Sequence, residues 1–249
     1  MVLFYSKPLL KSISISKIQM TKPPLVLICA PHSDVKNYCI NDWLRQVQNL
    51  SYPKDRYQIF VSDNSRKDTN TKWLRKQGIM ADWVKPKGKS NIEYMAQSHE
   101  QCRKKAIAGG YDVMLHWETD LSAPPNIIER LLMARKKVVS GLYPIELGKQ
   151  SKLLLQFREK DFETLLVTTN ADHTDMNFID GKVKPVFACG LGMALIRKEV
   201  FDVIPFRFEE GVKVHPDTIY AHDLQQAGIK QYVDTSILLK HNNREWIWK

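Results

Sequence analysis

Cysteine is scarce in this chain of 249 residues: Cys29, Cys39, Cys102 and Cys189 are the only four, and none stands in a C-x-x-C pair. That scatter argues against a structural zinc site or a disulfide framework and for a reducing compartment. Cys29 and Cys189 sit inside apolar runs, where a free thiol behaves as a small hydrophobe. No apolar run approaches the roughly 18 residues that a membrane span needs, so no integral membrane association is expected. The first residues are interrupted by Lys7 and Pro8 and do not read as a secretory leader. Residues 1–22 are therefore read as an extension, and 23–249 as one domain without a dividing linker. Low-complexity tracts and internal repeats are also lacking.

What is abundant is positive charge. Lys and Arg number 37 against 27 Asp and Glu, a formal net charge of +10. Such an excess favours an anionic partner: nucleic acid, a membrane surface or a phosphorylated ligand. Many solvated lysines would give the same number.

Apolar patterning alternates between strands and helices. Leu25–Ala30 is a continuous apolar run ending at Pro31-His32, and helical spacing follows from Val35 through Val47. A second strand, Tyr57–Val61, empties into the polar loop Ser62–Asp68. A short helix around Trp73 and a strand at Ala81–Val84 lead to the basic loop Lys85-Pro-Lys-Gly-Lys-Ser90. Ser90 and Glu93 have capping-box spacing, which predicts a helix that ends at Gly109-Gly110. The strand Val113–Trp117 follows, then a helix opened by Pro124-Pro125, then a strand at Lys137–Gly141. This order predicts an α/β fold with a mostly parallel sheet flanked by helices. Residues 144–185 lose the regularity and read as an insertion or lid. Signals resume at Val186–Cys189, Met193–Ile196, a helix from Arg197 to Ile204 and a helix from about Thr218 to Ala227. Short strands are expected near Tyr232 and at Ile237–Leu239.

The chemistry centres on Glu118-Thr119-Asp120, an acidic pair placed where a strand ends. Open α/β sheets bind ligands at strand carboxyl ends, and two carboxylates there can hold a hard divalent cation that in turn holds a diphosphate.

Together these residues resemble GT-A nucleotide-diphospho-sugar glycosyltransferases, most like family 2, over roughly residues 24–242. Leu25–Pro31 and Asp34 look like the family's first strand and nucleotide loop; His32 is compatible with a place near the base or with an ordinary polar loop residue. Asp63 looks like the acidic residue that recognises the base. Glu118-Thr119-Asp120 looks like the D-x-D metal motif, with Glu in first place. Gly190-Leu191-Gly192 looks like the glycine segment near the acceptor. His222-Asp223 looks like the acidic pair that carries the base, with His in place of the usual acid, and His241 looks like the late metal-site histidine.

The resemblance implies a Mn²⁺ or Mg²⁺ ion held by Asp120 and His241, with Glu118 on the metal or on the ribose. It implies Asp223 as general base with inversion at the anomeric carbon, and a nucleotide-diphospho-sugar donor, UDP-sugar favoured. Lys85, Lys87 and Lys89 are compatible with the diphosphate or with a solvated loop. Trp246 and Trp248 are compatible with a stacking platform, a membrane-surface anchor or an edge strand. The acceptor reading is an anionic polymer, with hydroxymethylated-pyrimidine phage DNA as one candidate. Surface polysaccharide or lipid-linked glycan is the other. A nucleotide-sugar-binding module with weakened catalysis competes. A nucleotidyltransferase does too, but Pro31-His-Ser-Asp34 is not a glycine-rich activating loop. A cytoplasmic location is expected, in the host if the source is viral.

Overall fold

The computed structural model describes residues 22–85, 90–147, 150–153, 155–156, 179–211 and 214–242. Lys87, Lys89, Asn170–Asn177, Trp246 and Trp248 lie outside them.

The apolar run of the first strand is continuous because both of its faces are covered, as expected for a parallel strand between helix layers. In β1 (Val26–His32), Val26, Ile28 and Ala30 join one core cluster, while Leu27 and Cys29 join another. The first cluster includes Trp43, Leu44 and Val47 of α1 (Ile40–Gln48). β2 (Tyr57–Asp63), α2 (Thr69–Lys76) and β3 (Met80–Trp83) follow. Next is α3 (Asn91–Ala108), whose Cys102 and Ala106 pack into the second cluster. Its first turn is capped as expected, with the Ser90 side chain accepting the Glu93 N–H at 3.2 Å.

β4 (Val113–Trp117) is buried along its whole length. β5 (Leu121–Ser122), α4 (Ile127–Met133) and β6 (Val138–Leu142) come next. The stretch read as irregular contains β-structure: β7 (Pro144–Leu147) pairs antiparallel with β8 (Gln150–Leu153). β9 (Leu155–Gln156) pairs with β11 (Ala188–Cys189), which follows β10 (Val183–Val186). After β12 (Met193–Arg197), the helix read to Ile204 stops at Phe201 as α5 (Lys198–Phe201). α6 (Pro216–Gln226) begins earlier than Thr218, with Pro216 in its first turn. The two strands expected near Tyr232 and Ile237 are one, β13 (Gln231–Leu238), with a register shift after Asp234. β14 (Lys240–His241) pairs antiparallel with β5.

The main sheet has eight strands in the order β10-β13-β6-β12-β4-β1-β2-β3. β1 is parallel to β2 and β4, β2 to β3, and β6 to β13. β12 is antiparallel to both β4 and β6, and that reversal positions the site. Because Met193 pairs with Trp117, β12 starts where β4 ends. The loop entering β12 therefore lies at the carboxyl edge of the parallel strands, beside Glu118. α6 runs the opposite way along the sheet from β13, so its N-terminus is at this edge and its later turns lead away. β13 then returns the chain to the edge, where His241 pairs with Leu121.

Candidate functional site

Glu118, Thr119 and Asp120 form the turn after β4, and Asp120 is fully buried. Burial would favour the neutral acid, yet the Lys36 ammonium and the His241 imidazole hold the Asp120 carboxyl well below the usual carboxylate range. Lys36 Nζ lies 2.7 Å from Glu118 Oε2 and 3.1 Å from Asp120 Oδ2. Burial would lower the ammonium's pKa, but the Asp120 and Glu118 charges and hydrogen bonds reverse this and raise it. Lys36 is thus a resident cation between the two carboxylates, delivered by the loop after β1. The sequence reading did not include it, since one Lys in a polar loop carries no distinguishing signal.

His241 faces the same carboxylate, with Nε2 at 3.3 Å from Asp120 Oδ2. Its Nδ1–H donates to the Pro144 carbonyl at 3.0 Å, which directs Nε2 toward Asp120. Asp120 Oδ1 is buried and has no hydrogen-bond partner among the described residues. An orphaned carboxylate oxygen beside an oriented imidazole fits a cation shared with a ligand's phosphates. A cage built from protein alone does not fit: among the described residues, no three His, Cys, Asp or Glu side chains group to hold a metal ion. Glu118 and Asp120 each give one oxygen to the same Lys36 ammonium.

The residues expected on the nucleotide side divide. His32 is buried, its Nδ1 3.2 Å from Thr119 Oγ1 and its Nε2 3.1 Å from Asn37 Oδ1. Asn70 Nδ2 donates to the same Asn37 oxygen at 2.8 Å, so α2 joins this polar network. Pro31 and His32 end β1 opposite Ser62 and Asp63 of β2. Asp34 pairs with the exposed Arg66 across the two loops at 2.7 Å. Asp63 differs from the expectation of base recognition. It is fully buried, and Oδ1 accepts the Ser65 N–H while Oδ2 accepts the Thr71 N–H and hydroxyl. Those bonds hold the β2–α2 loop and engage both carboxylate oxygens within it. Lys89 lies outside the described residues.

In the glycine segment expected near the acceptor, the Glu118 N–H donates to the Gly192 carbonyl at 2.8 Å. The Gly192 N–H in turn donates to the Tyr143 hydroxyl at 3.0 Å. A Cβ on Gly192 would come within 2.7 Å of that hydroxyl and 2.8 Å of Leu121, so only glycine permits this approach. Tyr143 also meets the His241 ring edge-on, centroids 5.5 Å apart. The Leu191 carbonyl accepts from His116 Nδ1 at 2.5 Å, and His99 Nδ1 bridges to His116 Nε2 at 2.7 Å. Burial and the neighbouring His116 hold His99 well below its ordinary pKa, and burial also lowers His116, so both are neutral struts.

The Leu191 N–H donates to Asp217 Oδ2 at 2.9 Å, tying the start of α6 to Gly190-Leu191-Gly192. Asp217 Oδ1 accepts from His215 Nδ1 at 2.9 Å. Asp223, expected as general base, is not in this group. Arg207 grips it with both arms, Nε to Oδ2 at 2.7 Å and Nη2 to Oδ1 at 2.9 Å. His222 Nδ1 lies 3.8 Å from Asp223 Oδ1. The reason is helical rise: from Asp217 to Asp223 the helix advances about 9 Å at 1.5 Å per residue, away from the carboxyl edge. Starting the helix at Thr218 hid the signal of His215-Pro216-Asp217, a Pro and an acid in a first turn.

No family model matches the chain and no curated protein matches it. Solved structures do share its fold. The mannosyltransferase PcManGT of Pyrobaculum calidifontis, solved with GDP-Man and Mn²⁺, is similar at TM-score 0.57 and 14% identity, over 92% of this chain and 59% of that one. TarS of S. aureus is similar at TM-score 0.54 and 12% identity, over 88% of this chain and 36% of that one. A protein from STIV is similar at TM-score 0.50 and 12% identity, over 88% and 86%. The chain spans little more than half of PcManGT and about a third of TarS. At these identities the likeness establishes a GT-A-like α/β fold of the kind found in glycosyltransferases.

Proposed function

We propose that this chain is a glycosyltransferase that moves a sugar from a nucleotide-diphospho-sugar to an acceptor hydroxyl. The observation that carries the reading is the Glu118–Lys36–Asp120–His241 cluster at the carboxyl edge of the sheet. Departure of a nucleoside diphosphate builds negative charge, and preorganised positive charge at that point lowers the barrier. Lys36 supplies one such charge. Asp120 and His241 are the residues that would hold Mn²⁺ or Mg²⁺ against the diphosphate, and the ion would neutralise the leaving group. His32, Thr119, Asn37 and Asn70 line the neighbouring nucleotide side.

UDP-sugars are the favoured donors, and GDP-Man is included because PcManGT was solved with it. For the acceptor, the +10 charge supports an anionic polymer, with hydroxymethylated-pyrimidine DNA as the first candidate. Surface polysaccharide and lipid-linked glycan are the alternatives. Among the described residues no helix is long and apolar enough to cross a membrane.

Titration calorimetry with GDP-mannose and a panel of UDP-sugars, with and without Mn²⁺, tests the donor. Binding that strengthens with Mn²⁺ and is lost in Asp120→Ala is expected. Absence of binding to every nucleotide sugar would sink the reading. Salt-sensitive gel shifts on hydroxymethylated duplex, followed by sugar incorporation, test the DNA acceptor.

A further inference from the structure

Five buried or half-buried histidines stand near the carboxyl edge, and their ring nitrogens set them apart; His32 has both engaged, by Thr119 and by Asn37. His116 has both nitrogens engaged, by His99 and by the Leu191 carbonyl. His241 points one nitrogen at Pro144 and the other at Asp120. His215 differs. Its Nδ1 is bound to Asp217, and its Nε2 has no hydrogen-bond partner among the described residues. Its side chain is 23% exposed, whereas that of Asp217 is 2% exposed.

Asp217 cannot itself reach an acceptor in this arrangement. One oxygen takes the His215 N–H and the other takes the Leu191 N–H. An ionised carboxylate behind Nδ1–H fixes the tautomer that leaves a lone pair on Nε2. Hydrogen bonds link the dyad to the acidic turn: Asp217 holds the Leu191 N–H, and the carbonyl of the next residue, Gly192, takes the Glu118 N–H.

We propose that His215 is the general base of the transfer and that Asp217 is the residue that positions it. The inference rests on the glycosyltransferase reading and names the proton acceptor of that same site. The acceptor hydroxyl gives its proton to Nε2 as its oxygen bonds to the anomeric carbon. The bond from that carbon to the phosphate oxygen breaks, and its electron pair leaves with the nucleoside diphosphate. Asp217 stays ionised throughout, and the imidazolium returns its proton to solvent. Inversion at the anomeric carbon follows from a single displacement.

The groups that face His215 set its basicity. Burial would lower its pKa; the charge and hydrogen bond of Asp217 on α6, with Glu118 after β4, outweigh burial and the opposing Lys36, and raise it. His99 on α3 also faces it, as a neutral ring.

Imidazole ¹⁵N NMR on the full chain, assigned with His215→Gln, reads the dyad without turnover. The expected result is an Nδ1–H tautomer that titrates above the ordinary His pKa of about 6.5, and a lower value in Asp217→Asn. An Nε2–H tautomer or an unshifted titration would overturn the proposal. Nucleoside diphosphate release from GDP-mannose or a UDP-sugar is the second readout. His215→Gln should lose about 10²- to 10⁴-fold in turnover while keeping donor affinity, and its kcat/KM should lose the acid limb. Wild-type turnover in His215→Gln, or an acid limb in the carboxylate range that survives that change, overturns the base but leaves the glycosyltransferase reading standing. A wild-type chain that binds no nucleotide sugar overturns both.

Discussion

Two buried carboxylate centres share the carboxyl edge of the sheet, and they are neutralised in different ways. At Glu118 and Asp120 the partner is Lys36, an ammonium whose proton the two anions hold firmly. At Asp217 the partner is His215, whose proton can be exchanged near neutral pH. The first centre is a set of fixed charges in which the carboxylates outnumber the ammonium. The second is a switchable one suited to moving a proton. The two centres thus differ in the cation beside each carboxylate, a lysine at one and a histidine at the other.

The comparison can be broken most severely at Lys36. Lys36→Met leaves two carboxylates close together at a buried site, which should cost about 3–5 kcal/mol in urea unfolding. Adding Glu118→Gln should recover part of that loss, and a Lys36→Met chain as stable as wild type would mean that no buried clamp exists. Next in size is Tyr143→Phe, which takes the acceptor from the buried Gly192 N–H and should cost about 1–3 kcal/mol. Nucleotide-sugar affinity should fall with it, because Gly192 also holds the Glu118 backbone.

A smaller effect distinguishes the switchable centre by pH. His215 has a raised pKa in the folded chain, so its contribution to stability is full below its unfolded pKa and is lost as pH rises through the folded value. The stability difference between wild type and His215→Gln should therefore shrink across that window, while the Lys36→Met difference persists through neutral pH. A His215→Gln difference independent of pH from 5 to about 9 would remove the contrast. The least effect is expected at the rim: Asp223→Asn weakens a partly exposed pair with Arg207 and should cost about 1 kcal/mol or less after solvent screening. A large loss of turnover in Asp223→Asn would restore it as the base.

Much of this architecture was legible in the chain. Leu25–Ala30 and Val113–Trp117 read as buried strands because uninterrupted apolar runs satisfy both faces of a covered sheet. The acidic turn Glu118-Thr119-Asp120 was legible because acids that follow such a strand fall at its carboxyl end. Lys36 was not, because its role depends on the β1 loop folding over a turn 82 residues later. Asp63 was legible as a loop acid, but its bonds to Ser65 and Thr71 redirect it from ligand to scaffold. At α6 the helix begins two residues before the expected Thr218, which puts Asp217 at the edge and Asp223 about 9 Å farther along at 1.5 Å per residue.

The sequence by itself determined the α/β order, the two apolar faces of each central strand and the acidic turn after β4, all through local periodicity and turn chemistry. Only the tertiary structure decided what surrounds that turn. The antiparallel insertion of β12 brings Gly192 to Glu118, the direction of α6 presents Asp217 and His215 instead of Asp223, and the return of β13 sets His241 against Asp120. Strand direction is a property of long-range pairing, which local periodicity does not encode, and here it selects the residues that meet.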